Sequence, residues 1–180
     1  MEALSKVHFS VPLFIYIPAI LFFCYQAFSH NISFAGFAFY FTCGFVVWTA
    51  TEYFLHRFIF HFHPTSSWGK RIHFIFHGVH HDYPKDKKRL VMPPSASIPL
   101  AALFYFLFSL LFTQTALDAF FPGFLLGYLL YDMLHYAMHH LNFKSGILKK
   151  IKQHHMLHHY QDPTKGFGVS SSLWDEIMRS

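Results

Sequence analysis

The chain has 180 residues, enough for one compact domain, and is 53% hydrophobic, 21% aromatic and only 13% charged. Soluble domains carry roughly 25% charged residues, so lipid is the expected solvent for much of this chain. The net charge is +5, yet residues 7–56 and 90–143 hold no Lys or Arg; this segregation by membrane depth excludes a nucleic-acid stripe and predicts no nucleic-acid partner.

Four apolar stretches appear in chain order, over residues 11–28, 34–55, 98–117 and 121–138. Each is near the ~20 residues that a helix needs to cross the hydrocarbon, and backbone groups in lipid must pair internally, so helices are predicted. The first contains Pro18 and is followed by no small-residue cleavage site, so it reads as a retained span rather than a secretory signal. Cys24 and Cys43 lie inside apolar runs and read as small buried hydrophobes, with no disulfide framework and no Cys-based zinc motif. Between the second and third stretches come a polar turn (64–68), a short helix (70–81), a charged loop (82–89) and the structure-breaking pair Pro93-Pro94. After the fourth stretch, residues 144–160 read as a basic helix, and Gly166 and Gly168 mark a loop.

The links at residues 30–33 and 114–118 carry no Lys or Arg. The positive-inside rule then puts the amino terminus, residues 57–89 and the tail from Lys144 in the cytosol. The predicted fold is all-α, an integral membrane protein with about four transmembrane helices in two hairpins. A cytosolic histidine-rich cap comprises residues 56–89 and 139–180, and the whole of 1–180 forms one membrane-embedded domain. The location is the endoplasmic reticulum if the source is eukaryotic and the inner membrane if it is bacterial.

Sixteen histidines are the anomaly of the composition. Ten of them gather in four motifs: His56 and His61 as HxxxxH, His77, His80 and His81 as HxxHH, His135 and His139 as HxxxH, and His155, His158 and His159 as a second HxxHH. Positions i and i+4 of a helix share a face, so His77/His81, His135/His139 and His155/His159 can each aim two rings at one point. His80 and His158 can reach a neighbouring ion. His56 and His61 are five apart and need a helix end or bend between them. Neutral imidazole suits zinc, iron and copper, and ten rings are too many for one ion, so two ions with about five ligands each are expected. The topology puts all four motifs on one membrane face. His8, His30 and His63 read as ordinary surface or core residues, while His73, His140 and His154 are intermediate. Asp132 and Glu52 each stand one turn before a ligand pair in apolar sequence, where an unpaired carboxylate is costly; both are expected to accept a ring N–H from a metal-bound histidine.

With these motifs the chain resembles the fatty acid 2-hydroxylases of the wider fatty acid hydroxylase and sterol desaturase superfamily, over roughly residues 51–178. The four His motifs match in order and spacing class. More specific are the run Lys88-Arg89-Leu90-Val91-Met92-Pro93-Pro94, the run from Gly166 through Trp174 to Asp175, and the stretch from Tyr131 to His140. The resemblance implies a di-metal monooxygenase that inserts one oxygen atom of O2 at C2 of a fatty acyl chain, often that of a ceramide. Iron is the expected metal, and zinc would fit the same site without redox chemistry. The ten histidines named above fall on the ligand pattern of that family. Many members carry a cytochrome b5 domain, but this sequence has no haem-binding His-Pro-Gly-Gly stretch. A separate electron donor, a cytochrome b5 or a ferredoxin-type protein, is therefore expected.

Two other readings fit the same histidine motifs. Another superfamily lipid oxidase, a sterol methyl oxidase or carotenoid hydroxylase, would use the same ligands. A non-enzymatic membrane metal-binding protein or transporter would need ligands spread along a path through the bilayer, whereas these gather at one face.

Overall fold

A computed structural model of the chain describes residues 6–74 and 78–180. Among the described residues all regular structure is helical. Helix α1 spans Val11–Ser29; α2 spans Phe34–Phe54 and runs on as a π-helical turn over Leu55–Phe60; α3 is Ser67–His73 and α4 is Val79–Asp82. Helix α5 spans Pro94–Ser109, α6 Gln114–His140, α7 Gly146–Tyr160 and α8 Leu173–Met178.

The described chain divides into two compact units. One contains Ser10–Thr49 and Pro93–Leu130, hence α1, α5 and most of α2 and α6. Its helices start and stop on local signals. Pro12 opens α1 and Pro94 opens α5, where a missing N–H costs nothing. Asn31 ends α1 in the left-handed conformation at φ 58°, and the amides of Asn31 and Ile32 turn back to the carbonyls of Phe28 and Ala27.

The centre of this unit is α6, whose Leu117, Phe120, Phe121, Phe124, Leu125 and Tyr128 are buried. Glycines let α2 and α6 approach closely. A Cβ on Gly44 would lie 2.0 Å from the carbonyl oxygen of Phe120, and one on Gly123 would lie 1.9 Å from that of Phe41. Phe14, Leu21, Phe39, Phe106 and Leu111 stand exposed, a surface suited to lipid rather than water.

Three helical segments are long and apolar enough to cross a membrane: Val11–Ser29, Phe34–Phe60 and Gln114–His140. The third predicted stretch forms a helix of only 16 residues, Pro94–Ser109. At 1.5 Å per residue it is about 24 Å long, short of the ~30 Å hydrocarbon thickness. Residues 114–118, expected as a loop, form instead the first turn of α6. Asp118 is buried there and binds the Gln114 amide at 2.8 Å and the His30 ring at 3.0 Å, so its side chain is satisfied without leaving the helix.

The other unit contains Met1–Phe9, Ala50–Met92 and Tyr131–Ser180. Every described residue of the helix expected over 70–81 is helical: α3 covers Ser67–His73, α4 covers Val79–Asp82, residues 74 and 78 are π-helical, and 75–77 lie outside the described residues. Ser66 caps α3 by accepting from the Gly69 amide.

Candidate metal centre

Two groups of imidazoles form in this second unit. The first gathers His80, His135, His139, His155 and His159; the second gathers His56, His61, His81 and His158. Within each group, one ring nitrogen per residue lies within 4.8 Å of all the others. The two groups are interleaved by adjacent residues. Helix α4 sends His80 to one and His81 to the other, and α7 sends His155 and His159 to one and His158 to the other. The fixed 100° step of a helix therefore serves both groups from one element.

His135 and His139 reach the first group from successive turns of α6, as their i, i+4 spacing requires. His56 and His61 reach the second through the π turn. The amide of His61 bonds the carbonyl of His56, five residues back, and this wider turn puts both rings on one side with Nε2 atoms 3.2 Å apart. The i+5 spacing of this pair requires a helix end or bend, and the π turn fills that role.

Several rings are oriented by main-chain carbonyls. Nδ1 of His56 donates to Phe167 and Nδ1 of His158 donates to Lys165 at 2.7 Å. His135 and His139 hydrogen-bond the carbonyls of Leu90 and Pro84. A carbonyl only accepts, so the bonded nitrogen carries the proton and the other nitrogen of a neutral ring keeps its lone pair. The Nε2 atoms of both groups converge. The Nε2 of His61 lies 3.2 Å from that of His56 and 3.0 Å from that of His158. In the first group, Nε2 separations are 2.9 Å for His80–His135, 3.0 Å for His80–His159 and 2.9 Å for His139–His155. In His56, His135, His139 and His158 the converging nitrogen is the unprotonated one, and a cation placed among such donors is favoured, so the donor set fits a metal ion in each group.

Electrostatics also favour the ligating form. Burial, reinforced by neighbouring imidazoles, pushes His61 down to about 3 and His81 down to about 4. Burial lowers His155, His158 and His159 as well. These rings are neutral at pH 7 and need lose no proton to bind a metal.

The expected carboxylates bond to the main chain. Glu52 accepts from the amides of Val169 and Ser170, both at 2.8 Å, and from the Ser170 hydroxyl. Asp132 accepts from the amide of Met92 at 3.3 Å. The sequence reading did not single out Asp175. It accepts from the amides of Phe167 and Gly168 at 2.8 Å, from the Ser180 hydroxyl and from His154 at 3.0 Å. Burial pushes the Asp175 carboxyl up, but these hydrogen bonds outweigh it and hold the group below its ordinary value. Its signal in the sequence was the Gly166 to Asp175 run. Gly166 sits at φ 74°, and a Cβ on Gly168 would lie 2.0 Å from the Ser171 carbonyl. His77, the tenth predicted ligand, lies outside the described residues. His30 binds Asp118 in the other unit, and His73 bonds the Phe60 carbonyl.

The family model described as fatty acid hydroxylase matches residues 41–180. The chain belongs to the fatty acid hydroxylase family. Within it, the chain is 40% identical to the ceramide very long chain fatty acid hydroxylase SCS7 of Saccharomyces cerevisiae, over 99% of this chain and 47% of the relative. It is 36% identical to the dihydroceramide fatty acyl 2-hydroxylase FAH2 of Arabidopsis thaliana, over 91% of this chain and 69% of the relative. It is 36% identical to the fatty acid 2-hydroxylase of Rattus norvegicus, over 100% of this chain and 54% of that protein. The chain thus spans about half to two thirds of the length of these family members. The solved structure of scs7p, in which the hydroxylase domain is visible, superposes with a TM-score of 0.94 at 38% identity, over 98% of this chain and 67% of that one.

Proposed function

We propose that this fatty acid hydroxylase is an O2-dependent monooxygenase that hydroxylates C2 of fatty acyl chains, in ceramide or a related lipid. The observation that carries the reading is the pair of neutral, convergent histidine groups in a chain whose relatives are named as acyl 2-hydroxylases. The reaction consumes the acyl C–H, O2, two electrons and two protons, and yields the C2 alcohol and water.

In this reading His80, His135, His139, His155 and His159 hold one metal ion, and His56, His61, His81 and His158 hold the other, with His77 as the tenth ligand. Iron, when bound, supplies the O2 activation that no side chain can supply, and zinc in the same site would leave the protein folded and inactive. The protein's own task is to fix the rings. The carbonyls of Leu90, Pro84, Lys165 and Phe167 set which nitrogen stays unprotonated, and Glu52 and Asp175 hold the loop that carries Phe167. The acyl chain reaches the site from the bilayer, and electrons come from a separate carrier protein. All histidine motifs face the cytosol, with four membrane-crossing or membrane-embedded helices and the amino terminus on the same side. The membrane is the endoplasmic reticulum or, in a bacterium, the inner membrane.

Purified protein analysed for metal, together with mass spectrometry of host lipids, tests this. About two metal equivalents per chain and loss of 2-hydroxy lipids on deletion are expected. Normal 2-hydroxy lipids with altered sterols or carotenoids would overturn the choice of substrate.

A further inference from the structure

The surroundings of the two histidine groups differ in charge. On the flank of the first group, Lys152 acts electrostatically on His139, and Lys87 and Lys152 act on His140. Lys152 is anchored there by its ammonium, which donates to the Leu141 carbonyl at 2.6 Å. Lys149 is exposed three residues earlier on α7, on the same side of the helix as Lys152. Residues 133–161 contain four lysines and no carboxylate. In the adjoining loop Asp86 is occupied by Arg89 and the Lys88 amide, which leaves Lys87 exposed. Around the second group the charges are mixed: Asp175 and Asp162 act on His158, Lys165 pairs with Asp162 at 3.7 Å, and the Arg57 guanidinium lies over the Phe167 ring that packs on His56.

We propose that the lysine flank built from Lys87, Lys149 and Lys152 is the docking surface for an acidic protein that carries one electron at a time. The proposal rests on the oxygenase reading, because that reaction needs two electrons from outside the chain. Each docking event delivers one; the carrier is oxidised and the bound metal reduced, and two events supply one turnover. Charge complementarity selects an acidic partner and steers it to the first histidine group, beside which α7 carries lysines and no carboxylate. His139 lies on this flank, partly exposed and directly before His140, so the carrier meets the edge of the ligand set itself.

The test measures binding, which needs no turnover. The probe is the soluble, acidic haem domain of a cytochrome b5, titrated against the full chain in nanodiscs of phosphatidylcholine alone. The double variant Lys87→Glu/Lys149→Glu should raise Kd about tenfold or more at low ionic strength, and added salt should erase most of the difference. Lys165→Glu changes the charge on the other flank and should shift Kd by less than about twofold. Equal weakening by Lys165→Glu, or an unchanged Kd in the double variant, would overturn the docking site. An unchanged Kd together with lost binding of phosphatidylserine vesicles would assign the lysines to lipid headgroups instead. Hydroxylation of wild-type protein driven by dithionite tests the oxygenase reading separately: its failure would count against that reading, whereas the Kd comparison decides the surface.

Discussion

Nδ1 of His56 donates to the carbonyl of Phe167, a residue 111 positions away in the chain. The bond ties the end of the apolar α2 run to the carboxy-terminal loop, and Glu52, one turn before His56, grips the same loop through the amides of Val169 and Ser170. Glu52→Gln removes an acceptor that serves three donors. Leaving one buried donor unmet costs about 1–3 kcal/mol, and the loop amides should exchange with deuterium faster than in the wild type. Unchanged exchange at Val169 and Ser170 would show that the loop holds itself.

The two histidine groups predict two separable losses of metal. His158→Ala should deplete the ion of the second group and His80→Ala that of the first, each leaving about half of the wild-type content and no hydroxylation. His8→Ala should retain both metal and activity. Elemental analysis of the three variants checks this, and full metal in both ligand variants would remove the assignment.

Gly123→Ala should be more damaging than its size suggests. The added methyl meets a backbone oxygen 1.9 Å away, which no side-chain rotation can relieve, so α2 and α6 must part. A cost of about 3 kcal/mol is expected, with a lower unfolding temperature in detergent. Gly146→Ala makes a contrast, since no atom lies within 4 Å of its Cβ; its cost comes only from φ 80°.

Metal-free protein should lose stability as pH falls below about 6.5. His61 stays neutral in the fold to about 3 and His81 to about 4, whereas the unfolded chain takes up those protons near 6.5. Between these values the unfolded state binds more protons, so acidification favours unfolding, by up to about 1.4 kcal/mol per pH unit for each such group before solvent screening. Asp175 acts lower on the scale. Its depressed value stabilises the fold above the unfolded carboxyl pKa, and that contribution is lost as pH falls through the folded one. Thermal unfolding at pH 7.5, 6.5 and 5.5 checks the histidine part; a flat profile would mean that the rings are not neutral in the fold.

The histidine groups were legible because helical spacing is written locally: the i, i+4 pair His135/His139 needs only α6 to form. The interleaving of His80 with His81 and of His158 with His159 follows from the same rule. What was not legible depends on distant parts of the chain. The π turn at Leu55–Phe60 has no local signature in the sequence, although the i+5 spacing of His56 and His61 posed the question it answers. Asp175 looked like one residue of a run, because its role appears only when residues 166–168 fold back onto it. The start of α6 at Gln114 was hidden because Asp118 reads as a loop residue until the Gln114 and His30 partners are seen.

The groups that fix the free nitrogens of His158 and His139 are the main-chain oxygens of Lys165 and Pro84. Every residue type carries that oxygen. Evolution can therefore exchange the side chains at positions 84 and 165 while ring orientation is conserved, and a saturation library should show high mutational tolerance at both. The neighbouring histidines should tolerate nothing. Such a site is robust to drift in its supports and brittle in its ligands.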